Sequence, residues 1–435
     1  MRIGMFQPKE LYKDDRISQL PDDILVDNIL SSFLSVEEAA RTSVLSSRWI
    51  NLWKYTPRLK LDGDERLATL RRQCMSHRKL IETEERNYVR RVNRVLQSHK
   101  ALTLKEFRIR FALIITDHAS LTRWLEFAFA RRVESLEFDL LDSHYRFPEK
   151  LVSASLVDFK SLRSLIFRNV HVSNGPIEFF LRNCPLLEKL IVCYSSELSN
   201  LRVCGSSSSS LALKHLEIVR CNGIKSIVVS APSLTFFKAA TYDRLLLEHI
   251  PMLVEVDVNR TDDDVSLRVL LSELSCCSQL ERLRLTLLSE EQNEVLSKLP
   301  QLRKLKTLVV TYILQGSESL TRLADLISAS PCLEEFVLEC EWGFFRKKDS
   351  QVKDAPINRH HHHLKVVKFR GYRGGQIRDL EFIEYILENC LVLEKLIIEP
   401  SASKNNTIEM EQTARANTKH QLESRVPPHI ELVIL

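Results

Sequence analysis

The spacing of the side chains able to act as metal ligands, nucleophiles or proton shuttles argues against such chemistry in this chain. Ten cysteines occur among 435 residues. None stands in a Cys-x-x-Cys pair, and Cys276 and Cys277 are adjacent, so zinc-ribbon spacing is absent. His360, His361, His362 and His363 follow one another. Neighbours in an extended chain point in alternating directions, which suits one metal poorly. No cysteine or carboxylate cluster follows them, so they read as a polar loop entering a strand at Leu364. Glycine is only 10 of 435 residues, well below the average of about 7%. No phosphate-cradling Gly-rich loop, Gly-x-Ser-x-Gly elbow or His-Glu-x-x-His is present. These readings predict no catalytic residue, no metal and no cofactor.

The chemistry that remains is docking, the burial of apolar side chains against another protein. The best candidates lie near the N-terminus. Ser18-Gln19-Leu20-Pro21-Asp22-Asp23 reads as a helix start, with Pro21 suited to the first helical position and the two acids to the positive end of the dipole. Ile24, Leu25, Ile29 and Leu30 then repeat at helical spacing. Ser35 followed by Glu38 makes a capping box for a second helix. Leu45, Trp49, Leu52 and Trp53 fall at i, i+4, i+7 and i+8, which puts both tryptophans on one face of a third. Three helices in about 40 residues bury little surface alone, so the module needs an attached domain or a partner.

These residues carry a family resemblance. The blocks Asp15-Arg16-Ile17-Ser18-Gln19-Leu20-Pro21 and Thr42-Ser43-Val44-Leu45-Ser46-Ser47-Arg48-Trp49-Ile50-Asn51-Leu52-Trp53 strongly resemble the F-box of plant F-box/leucine-rich-repeat proteins. The resemblance implies docking on the Skp adaptor, and through it on the cullin, of a ubiquitin ligase. The positions that match the family's contact pattern are Leu20, Pro21, Ile24, Leu25, Leu45, Arg48, Trp49, Leu52 and Trp53. Two departures stand between the blocks. Ser31-Ser32-Phe33-Leu34 looks one residue longer than usual, and Ser35-Val36 replaces the common Pro-Thr.

Behind this module, a pattern of apolar-x-x-apolar-x-apolar returns at Leu104, Val133, Leu162, Leu187, Leu213, Leu234, Leu253, Leu280, Leu305, Leu333, Leu364 and Leu393. The starts are about 19 to 31 residues apart, inside or close to the leucine-rich-repeat range. Helical spacing falls between several of them, at Ile177/Phe180/Leu181/Cys184, Leu267/Leu270/Leu271/Leu274 and Ile383/Ile386/Leu387/Cys390. A short strand followed by a helix, repeated, predicts a solenoid with a parallel sheet. The 68 leucines are then the ladder inside the stack. Cys184, Cys277 and Cys390 each lie three residues before a repeat start, and Cys221 holds the Asn/Cys position of another. All four read as small buried residues and not as ligands.

The fold class is therefore α/β, a small N-terminal three-helix F-box followed by a leucine-rich-repeat β/α solenoid. The expected organisation is 14–61 for the helical module and 62–101 for a charged helical connector. Residues 102–355 are the solenoid, and 356–400 continue it. Residues 401–435 form a polar tail, disordered over 401–421, with a possible last strand from Ile430. Within 356–400, His363 to Tyr372 and Glu394 to Ile398 resemble the FBD domain found at the C-terminus of plant F-box proteins. The connector's arginines, including Arg66, Arg71, Arg72, Arg86, Arg90, Arg91 and Arg94, are interrupted by Glu82, Glu84 and Glu85. Without an aromatic ladder for stacking, they read as a solvated helix face and not as a nucleic-acid site.

The N-terminal residues show no secretory signal, and no stretch reaches about 18 apolar residues. A cytoplasmic or nuclear protein with no membrane contact is expected. The resemblance implies a substrate receptor of an SCF-type ligase whose repeats recruit an unknown protein target. The extra residue between the blocks motivates the alternative, a scaffold or decoy that binds a partner without feeding a ligase.

Overall fold

The computed structural model describes residues 17–63, 78–111, 118–141, 144–153, 159–205, 211–240, 244–259, 272–274, 277–288, 301–314, 320, 323–342, 360–373, 377–401 and 408–435. The chain forms two compact units, Met1–Lys189 and Leu190–Leu435. In the first, the helical module leads into four parallel strands: β1 (Arg58–Asp62), β2 (Glu106–Arg110), β3 (Ser135–Asp139) and β4 (Ser164–Arg168). They pair in sequence order without a register shift, Leu59 against Phe107, Phe107 against Leu136, and Leu136 against Leu165. Alternate residues are buried because strand side chains alternate between faces. Leu59, Phe107, Ile109, Leu136, Phe138, Leu165 and Phe167 point inward and are closed to solvent.

Helices cover that inner face. His118–Ala130 and Asn174–Asn183 sit in the intervals after β2 and β4. Phe159 meets Phe129 and Phe180 edge to face, with ring centroids 4.9 and 5.4 Å apart, the geometry aromatic quadrupoles favour. The expected helix at Ile177, Phe180 and Leu181 is present, and all three side chains are buried.

β1 was not legible in the repeat pattern. It lies inside the segment read as helical module, yet it pairs along its whole length with β2. The charged connector is correspondingly not a spacer. Its helix, Arg78–Ser98, buries Ile81, Glu85, Tyr88, Val92 and Leu96 at i, i+4, i+7, i+11 and i+15. Tyr88 stacks on Phe111 at 4.0 Å and donates from its hydroxyl to the Leu61 carbonyl at 2.5 Å. Arg86, Arg90, Arg91 and Arg94 stay on the exposed side. Arg66, Arg71 and Arg72 lie outside the described residues.

The second unit carries β5 (Lys189–Cys193), β7 (His215–Val219), β9 (Phe236–Ala240), β11 (Glu255–Asn259), β12 (Arg282–Leu288), β13 (Thr307–Leu314), β14 (Glu335–Trp342), β15 (Val366–Tyr372), β16 (Lys395–Pro400) and β17 (Glu431–Ile434), neighbours in that order. Each of the twelve repeat starts read from the sequence precedes one of the strands β2–β5, β7, β9 and β11–β16, and the expected last strand is β17. Three further strands were not foreseen. β6 (Asn200–Cys204), β8 (Ser226–Ser230) and β10 (Arg244–Glu248) form a second parallel sheet in the order β10-β8-β6. Strands therefore stand here where helices were expected. For β8 and β10 the physical reason is length. Repeats starting at Leu213 and Leu234 are about 21 and 19 residues long, too short for two turns plus a helix of about three turns, whereas a strand spans the same height with five residues. Leu201, Val203, Ile227 and Val229 are fully buried on the inner side of this second sheet.

The C-terminal segment is also more ordered than its composition suggests. Residues 401–421 were expected to be disordered, but Ile408–Glu423 is a helix. Thr418 and Leu422, four apart, are buried, and Gln421 accepts a hydrogen bond from the Tyr372 hydroxyl at 3.0 Å. Two buried positions per helix are too faint a stripe to read from sequence. The expected helix around Ile383 and Ile386 is Ile377–Asn389. That at Leu267, Leu270 and Leu271 lies outside the described residues, as does the Ser206–Ser210 loop.

Scarce glycine has a backbone consequence. Asn169, Tyr194 and Arg220 each follow a strand with φ of 56°, 58° and 53°, a left-handed turn that glycine would take without strain. The Arg220 guanidinium stands 5.5 Å from the Tyr194 ring, a cation–π contact between two such residues.

Candidate docking site

The helical module begins after Pro21, which flanks the helix and does not start it: φ −56° and ψ 151° are extended, and its carbonyl accepts from the Leu25 amide. Asp22–Ile24, Leu25–Leu30 and Ser31–Phe33 then run on without a break, but the middle segment is a wide π-turn. A π-turn is what one extra residue does to an α-helix. The Ser31 amide reaches back to the Val26 carbonyl, which leaves the Asp27 carbonyl without its usual partner. The Ser31 and Ser32 hydroxyls donate to it at 2.6 and 3.1 Å. The π-turn leaves the surrounding core closed, with Leu25, Val26 and Leu30 buried.

The second helix, Val36–Arg41, has the predicted capping box. The Glu38 amide donates to Ser35 Oγ at 3.2 Å, and the Ser35 amide to Glu38 Oε2 at 2.8 Å. These hydrogen bonds from Ser35 hold the Glu38 carboxyl below the ordinary range. The third helix is shorter than its spacing implies. A 3-10 turn, Thr42–Val44, precedes it, the chain breaks at Ser46, and the α-helix is only Trp49–Leu52. Leu45 therefore does not share a face with Trp49.

The nine residues matching the F-box contact pattern differ in burial. Leu25, Trp49 and Leu52 are 0%, 3% and 7% exposed and form one cluster with Val26, Leu30 and Ala39. They are the module's core. Their apolar spacing marks residues that pack inside the bundle. Pro21, Ile24 and Leu45 are exposed, Leu45 to 64%. Leu20 and Trp53 are half-buried and pack on the edge of the same cluster. Arg48 ties the two blocks together, donating from Nε to Asp22 Oδ1 at 2.8 Å and from Nη2 to the Leu20 carbonyl. Sequence pattern alone missed Val44, 88% exposed, and Phe33, 80% exposed.

The module is anchored to the first repeats. Lys105 Nζ meets Asp27 Oδ2 at 2.9 Å, the Lys100 amide donates to the Lys54 carbonyl at 2.8 Å, and buried His99 donates from Nε2 to the Thr56 carbonyl at 2.9 Å. Burial holds the His99 pKa below its usual value, and the nearby Arg131 cation adds to the effect.

The other chemistry-bearing residues are structural. Cys184, Cys221 and Cys390 are buried, whereas Cys277 is half-exposed. Burial pushes the Cys221 and Cys390 thiols up to about 12, the reverse of what a nucleophile needs. His361 is not a loop residue but is 8% exposed, with Nε2 2.8 Å from the Tyr385 hydroxyl. Among the described residues, no group of three or more His, Cys, Asp or Glu side chains is arranged to hold a metal ion, and no helix is long and apolar enough to cross a membrane.

Parallel strands repeating every 19 to 31 residues, each opened by a buried leucine or valine, define a leucine-rich-repeat protein. Residues 153–426 match the family described as "At1g61320/AtMIF1, LRR domain", and the chain belongs to this family. Over most of its length it is similar to F-box proteins of Arabidopsis thaliana. It is 27% identical over 413 residues to the putative F-box/FBD/LRR-repeat protein At4g13965, covering 88% of this chain and 89% of that one. It is 27% identical over 417 residues to the putative F-box/FBD/LRR-repeat protein At3g49030, covering 89% and 88%. With the FBD-associated F-box protein At1g66310 it shares 24% identity over 449 residues, covering 94% and 95%.

Proposed function

We propose that this protein is the substrate-receptor subunit of an SCF-type cullin ubiquitin ligase. Residues 14–61 dock the Skp adaptor and the repeat array recruits a protein target. The observation that carries this reading is the exposure of Ile24, Val44 and Leu45 on a module whose own core is already complete. A small helical module that has closed its core has no internal use for such side chains, and exposed apolar groups of this kind serve interfaces. The similarity to F-box/LRR proteins supports the same reading. The chain itself breaks no bond in this scheme. It raises the effective concentration of a target lysine near a charged conjugating enzyme. The π-turn weighs against a decoy, because it absorbs the extra residue without opening the core.

The test is co-purification with the Skp adaptor. The intact chain is expected to bind, while Ile24→Asp and Leu45→Asp weaken binding by about tenfold or more with an unchanged melting temperature. Failure of the intact, folded chain to bind any Skp adaptor overturns the reading.

A further inference from the structure

Among the described residues, β17 has a neighbour on one side only, β16. The Glu431 amide donates to the Glu394 carbonyl at 2.8 Å, and the Leu435 amide to the Ile398 carbonyl at 3.0 Å. Successive residues of a strand turn their backbone groups to opposite sides, so the amides and carbonyls of Leu432 and Ile434 face away from β16. The other edge strand, β1, has the helical module beside it, with Arg58 Nη1 donating to Ser31 Oγ at 3.3 Å. Sheets commonly guard an open edge with a lysine, a proline or a bulge. Glu431-Leu432-Val433-Ile434 contains no lysine or proline and pairs with β16 without a register shift.

The inner row of the stack is unfinished at the same place. Leu396 and Ile398 on β16 are 1% and 0% exposed, whereas their register partners Leu432 and Ile434 are only half-buried. These two line a groove of about 340 Å³ whose other walls include Val426, Pro427 and the helix Ile408–Glu423. The last repeat of a solenoid ordinarily turns a polar face to water, but here its row is apolar. On the outward face, neighbouring strands set opposite charges side by side, Arg370 with Glu399 at 3.1 Å and Lys395 with Glu431 at 3.0 Å. The Glu431 side chain is still 63% exposed.

We propose that β17 accepts an extended segment of the target protein as one more parallel strand of the sheet. The segment's main chain takes up the free amides and carbonyls of Leu432 and Ile434, the mode of strand addition. Its apolar side chains, two residues apart, enter the groove and continue the rows that end at Leu432 and Ile434. A lysine or arginine just before the first of them faces Glu431 on the outward side, as Lys395 does from β16. The recognised pattern is basic-apolar-any-apolar. The inference rests on the reading that the array recruits a protein target, and it names the chemistry of that target.

The probe is a fluorescein-labelled peptide amide, Gly-Gly-Lys-Val-Thr-Val-Thr-Gly, titrated into the full chain and followed by polarisation. One control carries glutamate for the lysine, and a second carries serine for both valines. The lysine peptide is expected to bind saturably. The glutamate peptide binds about threefold more weakly at low salt, and the serine peptide about tenfold more weakly or worse. Ile434→Pro removes an outward amide without removing a bond to β16. It lowers affinity for the lysine peptide about tenfold or more with an unchanged melting temperature. Glu431→Gln retains binding but erases the preference for lysine over glutamate, and it reads the same edge should Ile434→Pro unfold the last strand. Equal binding of the lysine and serine peptides, or binding of none of the three, overturns the proposal. So does a dimer of the full chain in sedimentation that Ile434→Pro dissolves, which assigns the edge to a second copy. Adaptor co-purification is measured on the same samples. A chain that binds the adaptor but no peptide refutes this inference alone. A chain that binds the lysine peptide but no adaptor refutes the receptor reading alone.

Discussion

Val44 and Leu45 project their side chains into solvent from the helical module, whereas the open face of the repeat sheet is laced with ion pairs. Glu339 alone accepts from Arg284, Arg370 and Thr311 at 3.1, 2.6 and 3.0 Å. Lys395 meets Glu431 at 3.0 Å, and Arg168 meets Glu137 at 2.9 Å. Both regions keep a closed apolar core, so they differ only in how the surface is used. Exposed aliphatics suit a partner that is always the same, because burial is strong and undirected. Paired charges suit selection among partners, because a mismatch leaves polar groups unpaired. Under the proposed function, the module would suit a constant partner and the array a chosen one.

The comparison can be broken by substitutions that separate core from surface. The largest effect is expected inside. Trp49→Ala in the module and Phe336→Ala in the array should each cost about 3–5 kcal/mol of stability by removing a large buried ring, read by denaturant unfolding. Leu45→Asp should leave that curve in place while abolishing adaptor capture. Were Leu45→Asp to cost as much stability as Trp49→Ala, the division of the module into core and face would collapse. A smaller effect is expected where the module joins the array. Because burial and Arg131 lower the folded-state pKa of His99, its contribution to stability is complete above the unfolded value of about 6.5. It falls as pH drops from there toward the folded value. Unfolding measured between pH 7.5 and 5 should therefore show a slope in the intact chain that His99→Asn reduces. The smallest effect belongs to the open face. Glu339→Gln, at a site in contact with solvent, should cost about 1 kcal/mol or less, and less again in high salt.

Much of the fold was legible because leucine-rich repeats write their core once per turn of the stack. Even Leu234/Phe237/Ala239, the faintest match, precedes a strand whose inward side chains are closed to solvent. β1 escaped because Leu59 and Leu61 offer only half the pattern, next to a stretch dominated by helix signals. β8 and β10 escaped because short repeats invite a strand where the family habit is a helix, and β6 because Leu201 and Val203 alone are too brief an alternation to mark a strand. The docking site was legible as a segment but not as a surface. Leu25 and Ile24 are adjacent apolar residues, and sequence cannot say which faces inward until the π-turn sets the phase. Arg48 was marked as a contact, but its ties to Asp22 and the Leu20 carbonyl also make it the clamp between the two blocks.

The carbonyl just ahead of each strand deserves a last look for its direction. That of Glu134 receives the amides of Arg163 and Ser164, that of Thr235 receives Val254 and Glu255, and that of Lys365 receives Glu394 and Lys395. At these junctions one oxygen serves two hydrogens of the next repeat. The parallel ladder itself loses donors and acceptors alike at either cut, so the ends differ only at such junctions, where a cut on the C-terminal side leaves one oxygen to water. A cut on the N-terminal side strips two hydrogens of their shared acceptor, and unmatched amide hydrogens are the rarer and costlier orphans. The array is in this sense a polar filament with a durable end and a vulnerable one. Shortened chains should survive trimming from the back better than from the front.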